Sequence, residues 1–415
     1  MIERKSLQFK ANYKKVLCQF FEPGDEKRFR QIIDRIMGLT DKQTADYLEQ
    51  VFQEFSSRHK NFSEILINHY NRVSYLIENS ENLNKNRKLL IGSYFSKEYS
   101  IEAAALFNPS MTPHPDQSNL KPGNKRFIMS FRATGEGHIS SVEFVSGIVD
   151  QNGNISVDPI SKYCVNPQKT ELRDDIVQMT FNSSDSVSER VLFPNTPDES
   201  NGIEDVRLVR FVEGDDNVTY YGTYTAYNGT EIKPKLIETK DFVTFKMRPL
   251  TGKAAVNKGM ALFPRKINGK YAMVSRQDGE NILIMFSDDL HRWDESQIMQ
   301  EPVYPWEFIQ LGNCGSPVET EAGWILLSHS VGPMRKYVIS AYLLDLNDPS
   351  KVIGRLEEPL ISPDENEREG YVPNVVYSCG GMINDDTLII PYAMSDYASG
   401  FASVGVGKLL SGMKK

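Results

Sequence analysis

The apolar positions of this chain change period once, near residue 95. Before that point they recur at helical spacing. In "TDKQTADYLEQVFQEF", Thr40 and Gln43 are placed as a capping box, and Ala45, Leu48, Val51, Phe52 and Phe55 follow on one face. "NFSEILINHYNRVSYLI" sets Ile65, Leu66, His69, Tyr70 and Val73 behind a cap at Asn61 or Ser63. "DEKRFRQIIDRIMG" ends on Gly38, a helix stop. The pattern predicts three or four helices over residues 1–95.

Beyond it, short apolar strands separated by turn residues take over. They repeat. "KRFIMSFRATG", "VTYYGTYTAYNG", "GKYAMVSRQDG", "AGWILLSHSVG" and "DTLIIPYAMSD" are each an apolar strand ending in small or polar residues and a turn. Counted from Phe131, Tyr224, Val274, Leu327 and Tyr392, five units recur roughly 50–65 residues apart, with a longer gap between the first two. Residues 150–200, rich in Ser, Asn, Asp and Pro, account for that gap as extra strands and loops. The expected fold is an all-β main domain over 96–415, a five-bladed β-propeller, with an N-terminal α-helical extension over 1–95. Two β-sandwich domains are the rival arrangement, but they do not explain the recurring unit.

Composition narrows the partners. The 415 residues carry a formal net charge of −8, which argues against nucleic acid or an anionic membrane as principal partner. No apolar run reaches membrane-spanning length, and "MIERKSLQFKANYKK" lacks the apolar core of a secretory signal. Cys18, Cys164, Cys314 and Cys379 are scattered without CxxC spacing, as expected of reduced thiols in the cytoplasm. The His residues show no metal-ligand spacing, so neither a metal nor an organic cofactor is expected. Nothing catalytic explains the helices of 1–95. They are expected to pack on the main domain or on another subunit, which would give a homo-oligomer.

Candidate chemistry enters at "NGIEDVRLVRF", residues 201–211. As a strand it puts Asp205 and Arg207 on one face, a carboxylate beside a guanidinium at the edge of a buried run. Singly, such a pair is an ordinary charged turn. In a propeller, however, the ends of the inner strands converge on one channel. Those ends supply Arg132, Asp205 with Arg207, Lys258, Arg276, His329 and Asp396. Several cations around few carboxylates suit an anion beside a general acid, and Arg is well shaped for phosphate. Tyr337, Tyr371 and Tyr377 are among the aromatic residues suited to stacking on a sugar.

The ordered motifs "GIEDVRL…YYGTYTAYNG", "NKGMALFPRKINGKYAMVSR", "IMFSDDLHRW", "GSPVETEAGWILLSHSVGP" and "EREGYVPNVVYSCG" resemble glycoside hydrolase family 130. The resemblance implies a five-bladed propeller that acts on β-mannosides, either as an inverting phosphorylase or as a β-1,2-mannosidase. It implies a β-mannoside oligosaccharide as partner, with inorganic phosphate as co-substrate in the phosphorylase case. Asp205 falls on the family's catalytic acid, in its Glu-Asp-Pro-Arg motif, which acts through a hydroxyl of the sugar itself. Arg276 and His329 fall in motifs of the phosphate and sugar pocket, and Lys258 in the Asn-Lys motif. With Arg132 and Arg207 they make the expected phosphate-binding set. Asn108, Glu204, Tyr337, Tyr377 and Asp396 make the expected substrate-binding set. The chain departs from the family at Val206 (usually Pro), Ser275 (usually His in phosphorylases) and Ser330 (usually Gly).

Three functions remain open on sequence. A phosphorylase needs one acid and a cationic pocket. An inverting hydrolase needs a second carboxylate about 6.5–9.5 Å from the first, for which Glu143, Glu319 and Asp396 are candidates. A non-catalytic glycan-binding propeller needs neither. Retention of the cations favours phosphate.

Overall fold

The computed structural model describes residues 2–214 and 217–415. The chain divides into two compact units, one of residues 12–101 and 161–166, the other of residues up to 11, 102–160 and 167–415.

The smaller unit is built on four helices, α1 (Glu26–Met37), α2 (Asp41–Phe55), α3 (Phe62–Val73) and α4 (Lys85–Tyr94). The capping box at the start of α2 forms: Gln43 N–H donates to Thr40 Oγ1 at 3.2 Å, and Thr40 N–H donates to Gln43 Oε1 at 2.9 Å. Gly38 terminates α1. Asn61 precedes α3 in a left-handed conformation (φ 55°) and makes no side-chain cap bond, so it turns the chain rather than capping it. Leu66, Val73, Leu90, Ile91 and Phe95 are fully buried between the helices. A Cβ on Gly92 would run into the carbonyl of Leu66, so this glycine lets α4 approach α3.

Two parts of residues 1–95 are not helical. Val16–Phe20 pairs antiparallel with Ser96–Ser100, a hairpin whose two strands are separated by all four helices. Glu3–Lys10 belongs to the other unit, where it pairs antiparallel with Ala398–Gly405. Its sequence, "ERKSLQFK", buries only Phe9 fully, so no local pattern announces a strand. The partner that defines it lies at the far end of the chain.

The larger unit is all-β, and each sequence repeat is an inner strand of an antiparallel sheet. Lys125–Thr134 lies between Ala105–Pro113 and Ser140–Val149. Asn217–Tyr227 lies between Gly202–Glu213 and Ile232–Thr239. Tyr271–Ser275, Gly323–Val331 and Thr387–Met394 are flanked in the same way. Residues 150–200 add the strands Ile155–Val157, Lys169–Arg173 and Ile176–Thr180. Among the described residues, no helix is long and apolar enough to cross a membrane.

Glu3–Lys10 is held by packing as well as by its ladder. The Phe9 ring sits 4.9 Å from that of Phe131 and 6.0 Å from that of Phe401. Arg4 Nε donates to Glu367 Oε1 at 2.9 Å. Phe9→Ala is therefore expected to destabilise the larger unit by about 3 kcal/mol. Urea unfolding followed by near-UV circular dichroism checks this, and an unchanged midpoint would mean that the strand contributes no stability.

Candidate active site

Two irregularities in the sheets create the site. The ladder of Ala105–Pro113 with Lys125–Thr134 shifts register between Phe107 and Ser110. That of Gly202–Glu213 with Asn217–Tyr227 shifts between Glu204 and Arg207. Such bulges re-aim a side chain that regular alternation would send elsewhere. Asn108 sits in the first (φ 50°) and Asp205 in the second (φ 53°), both left-handed. Asp396, at the turn between Thr387–Met394 and Ala398–Gly405, has φ 50°, and Arg335 has φ 54°. Left-handed backbone at a non-glycine residue costs about 1–3 kcal/mol, and Asn and Asp tolerate it best.

These residues line one polar cavity of about 150 Å³ together with Arg132, Lys258, Arg276, His329, Tyr337 and Tyr377. Asn108 Nδ2 donates to Asp205 Oδ1 at 2.7 Å, and Arg132 Nη1 approaches the same oxygen at 3.4 Å. Arg132 Nη2 also donates to Glu204 Oε1 at 2.7 Å. Arg276, also in the lining, is 9% exposed. Its Nη1 donates to His329 Nε2 at 3.0 Å, while its buried Nε has no hydrogen-bond partner among the described residues. The buried Oδ1 of Asn108 is likewise unpartnered.

Burial pushes the Asp205 carboxyl up. Arg132, Arg207, Lys258 and the amide of Asn108 outweigh it and hold the group below the usual carboxylate range. Asp396 goes the other way. Burial and the charge of Asp205 raise it to about 6, against the opposing pull of Arg132 and Arg335. Burial, with Arg276 and Arg207, keeps His329 neutral. Its Nδ1–H donates to the Asn313 carbonyl at 3.0 Å, which leaves Nε2 as an acceptor for Arg276. A Cβ on Gly312 would collide with this imidazole, so glycine is needed there.

Of the residues expected from sequence, Asn108, Arg132, Asp205, Lys258, Arg276, His329, Tyr337, Tyr377 and Asp396 line the cavity. Glu204 and Arg207 stand behind its wall. The bulge breaks the same-face relation expected of Asp205 and Arg207: Arg207 Nη1 donates to the main-chain oxygen of Asp205 at 3.0 Å. Its other donors go to Asn313 Oδ1 at 3.2 Å and Tyr377 Oη at 2.7 Å, so it braces the wall. His329 orients Arg276 and has no free N–H for an anion. Of the candidate second carboxylates, Asp396 alone faces the cavity; Glu319 pairs with Arg265 at 2.6 Å. Ser275, at a family departure, is buried and donates to Gln277 at 2.8 Å. Sequence reasoning missed Arg335 and Phe107. The position of Arg335, two residues before Tyr337 in the turn after the His329 strand, is the signal that could have found it.

The family model described as beta-1,4-mannooligosaccharide phosphorylase matches residues 174–415. The chain belongs to glycoside hydrolase family 130. It is similar to a 1,2-beta-oligomannan phosphorylase of Thermoanaerobacter sp. (strain X514), 37% identical over 51% of this chain and 71% of that protein. A beta-1,2-mannobiose phosphorylase of the same organism is 34% identical over 52% of this chain and 70% of that one. Among solved structures, a beta-1,2-mannobiose phosphorylase from Listeria innocua superposes with a TM-score of 0.51 at 22% identity. That match covers 76% of this chain and 92% of the other, and the likeness is one of fold.

Asp396 supplies a test of these electrostatics. Its folded pKa is raised, so its contribution to stability is full below the unfolded value near 3.8 and is lost as pH rises through about 6. Asp396→Asn is expected to raise the melting temperature of the ligand-free protein at pH 7.5, by the equivalent of about 1–2 kcal/mol. The difference from wild type should close by about pH 4. A difference that stays constant with pH would show that Asp396 does not titrate in this range.

Proposed function

We propose that the chain is a β-mannoside phosphorylase whose larger unit is a five-bladed β-propeller. In this reading the cavity transfers a mannosyl group from a β-mannoside oligosaccharide to inorganic phosphate, giving mannose 1-phosphate with inversion. The names of the relatives support the chemistry. The five sequence repeats, each an inner strand of an antiparallel sheet, support the propeller. Four buried cysteine thiols support a reducing, cytoplasmic setting.

The observation that carries the phosphate is Arg276. A guanidinium that is nine-tenths buried, meeting a neutral histidine and holding an unpartnered Nε, is a site awaiting an anion. The charges around it agree. Arg132, Lys258, Arg276 and Arg335 face the cavity against Asp205 and Asp396, an excess of two positive charges. A phosphate dianion offsets that excess.

The steps follow from this layout. In this reading the mannosyl ring is held by Asn108, Tyr337, Tyr377 and Asp396 of the lining, and the unpartnered Oδ1 of Asn108 accepts a sugar hydroxyl. Phosphate on Arg276 and Lys258 sends one oxygen to the anomeric carbon. The bond from that carbon to the glycosidic oxygen of the leaving sugar breaks, and this leaving oxygen receives the proton supplied by Asp205. Its cationic neighbours hold Asp205 ionised, which is the wrong state for an acid. Bound phosphate counteracts Lys258 and Arg276 and adds negative charge nearby, which moves the Asp205 pKa up. Bound phosphate thus favours the protonated form that an acid needs.

A second reading is hydrolysis, and it rests on Asp396, the one other carboxylate among the described residues lining the cavity. Incubation of the protein with β-mannobioses, with and without phosphate, separates the two. Phosphate-dependent release of mannose 1-phosphate is expected, and free mannose formed equally without phosphate would establish hydrolysis instead. Asp205→Asn keeps the side-chain size, removes the proton and is expected to lower kcat by about 10²–10⁴-fold. Undiminished turnover would remove Asp205 from the role of acid. Arg276→Ala is expected to raise the KM for phosphate by about 10–150-fold while changing the KM for the sugar far less. Equal effects on both constants would contradict a phosphate site at Arg276.

A further inference from the structure

The cavity is too small for the whole substrate. At about 150 Å³ it is on the scale of one sugar ring with its phosphate, not of an oligosaccharide. If the transferred mannosyl group lies inside, the sugars beyond the cleaved linkage must lie outside, on whatever forms the rim.

The segments that build the cavity also carry exposed rings. Tyr371 is 64% exposed and Tyr397 is 41% exposed. His138, also exposed, stacks on Tyr371 with ring centroids 5.9 Å apart and planes at 30°. Both members of the pair are fastened to segments that build the cavity. His138 follows the strand that bears Arg132, in a tight turn with Gly137 at φ 68° and His138 at φ 60°. That turn is closed by Gly135 N–H donating to the Ile139 carbonyl at 3.0 Å. Tyr371 lies on the segment leading to Val375, which lines the cavity. Val372 N–H donates to the Ser395 carbonyl at 3.0 Å, and Ser395 N–H donates to the Val375 carbonyl at 2.7 Å, directly before Asp396. A Cβ on Gly370 would strike the Ser395 side chain and backbone, so the two segments run in close contact. Exposed rings contribute little to folding, whereas ring faces fastened to the segments that build a sugar-sized cavity are suited to a pyranose.

We propose that the stacked His138–Tyr371 pair, with Tyr397 beside it, is the platform for the leaving-group sugars of the oligosaccharide. This rests on the phosphorolysis reading for the identity of the sugar in the cavity. On this account the rim sets the preference for chain length and acceptor, while the cavity sets the preference for the transferred sugar.

The test titrates the full chain with a β-mannotriose, without phosphate, by calorimetry. Tyr371→Ala and His138→Ala are expected to weaken binding by about 3–10-fold each, the worth of an aromatic contact. Tyr371→Phe, which keeps the ring face, is expected to bind as wild type does. In turnover, Tyr371→Ala should raise the KM for the trisaccharide by the same factor and leave the KM for phosphate unchanged. Undiminished affinity in Tyr371→Ala overturns the platform, and so does a Tyr371→Phe variant as weak as the alanine one. A wild-type chain that binds the trisaccharide but never releases mannose 1-phosphate overturns the phosphorolysis reading, and the affinities still decide the platform. A wild-type chain that does not bind the trisaccharide overturns both.

Discussion

Everything in the candidate site depends on keeping one carboxylate, Asp205, charged inside a protein. An ion taken out of water costs several kcal/mol unless partners compensate it. Here Asn108 reaches it at 2.7 Å and Arg132 at 3.4 Å, with Arg207 and Lys258 acting at longer range. The cations must in turn be held in place. Glu204 fixes Arg132, while Tyr377 and Asn313 fix Arg207. The Asn313 carbonyl fixes His329, which aims Arg276. The result is a connected polar network in which, among the described residues, Arg276 alone keeps a buried donor unpartnered on the cavity wall.

The bulges are how a β-sheet presents such a network. Regular strands alternate side chains between two faces, and the strand Gly202–Glu213 is buried almost throughout. Slipping the ladder at Asp205 and at Asn108 lets two neighbouring strands turn polar groups toward each other without breaking the surrounding pairing. The left-handed backbone at Asn108, Asp205 and Asp396 falls on Asn and Asp, the residue types that bear it best. Local strain and local chemistry therefore coincide in the same side chains.

What sequence could show divides along physical lines. The five repeats were legible because apolar inner strands must recur if the sheets recur. Their polar ends were legible because equivalent positions converge. The capping box of α2 is local chemistry, and it formed as its residues indicate. The strand Glu3–Lys10 was not legible, because its partner lies nearly four hundred residues away and half of its own side chains are charged. Nor was the division of labour among the cations. Arg207, Arg276 and Arg335 look alike in sequence, and only register and burial set one behind the wall, one in it and one at its edge. The tautomer of His329 likewise depends on a carbonyl from a different strand, and its neutral state on burial beside Arg276 and Arg207.

The pairing of Glu3–Lys10 with Ala398–Gly405 has a consequence for synthesis. Glu3 meets Ser403, so the last sheet cannot be completed until nearly the whole chain has left the ribosome. Contacts that distant in sequence form slowly, because a long loop must close before any bond repays it. The helical unit draws nearly all its residues from one continuous stretch and can settle while translation continues. During that interval the nascent β-unit carries an unpaired edge strand, the kind of surface that invites association with other chains. The charges of "ERKSLQFK" and the small residues of "ASGFASVG" keep the two waiting edges poor templates for aggregation until they find each other.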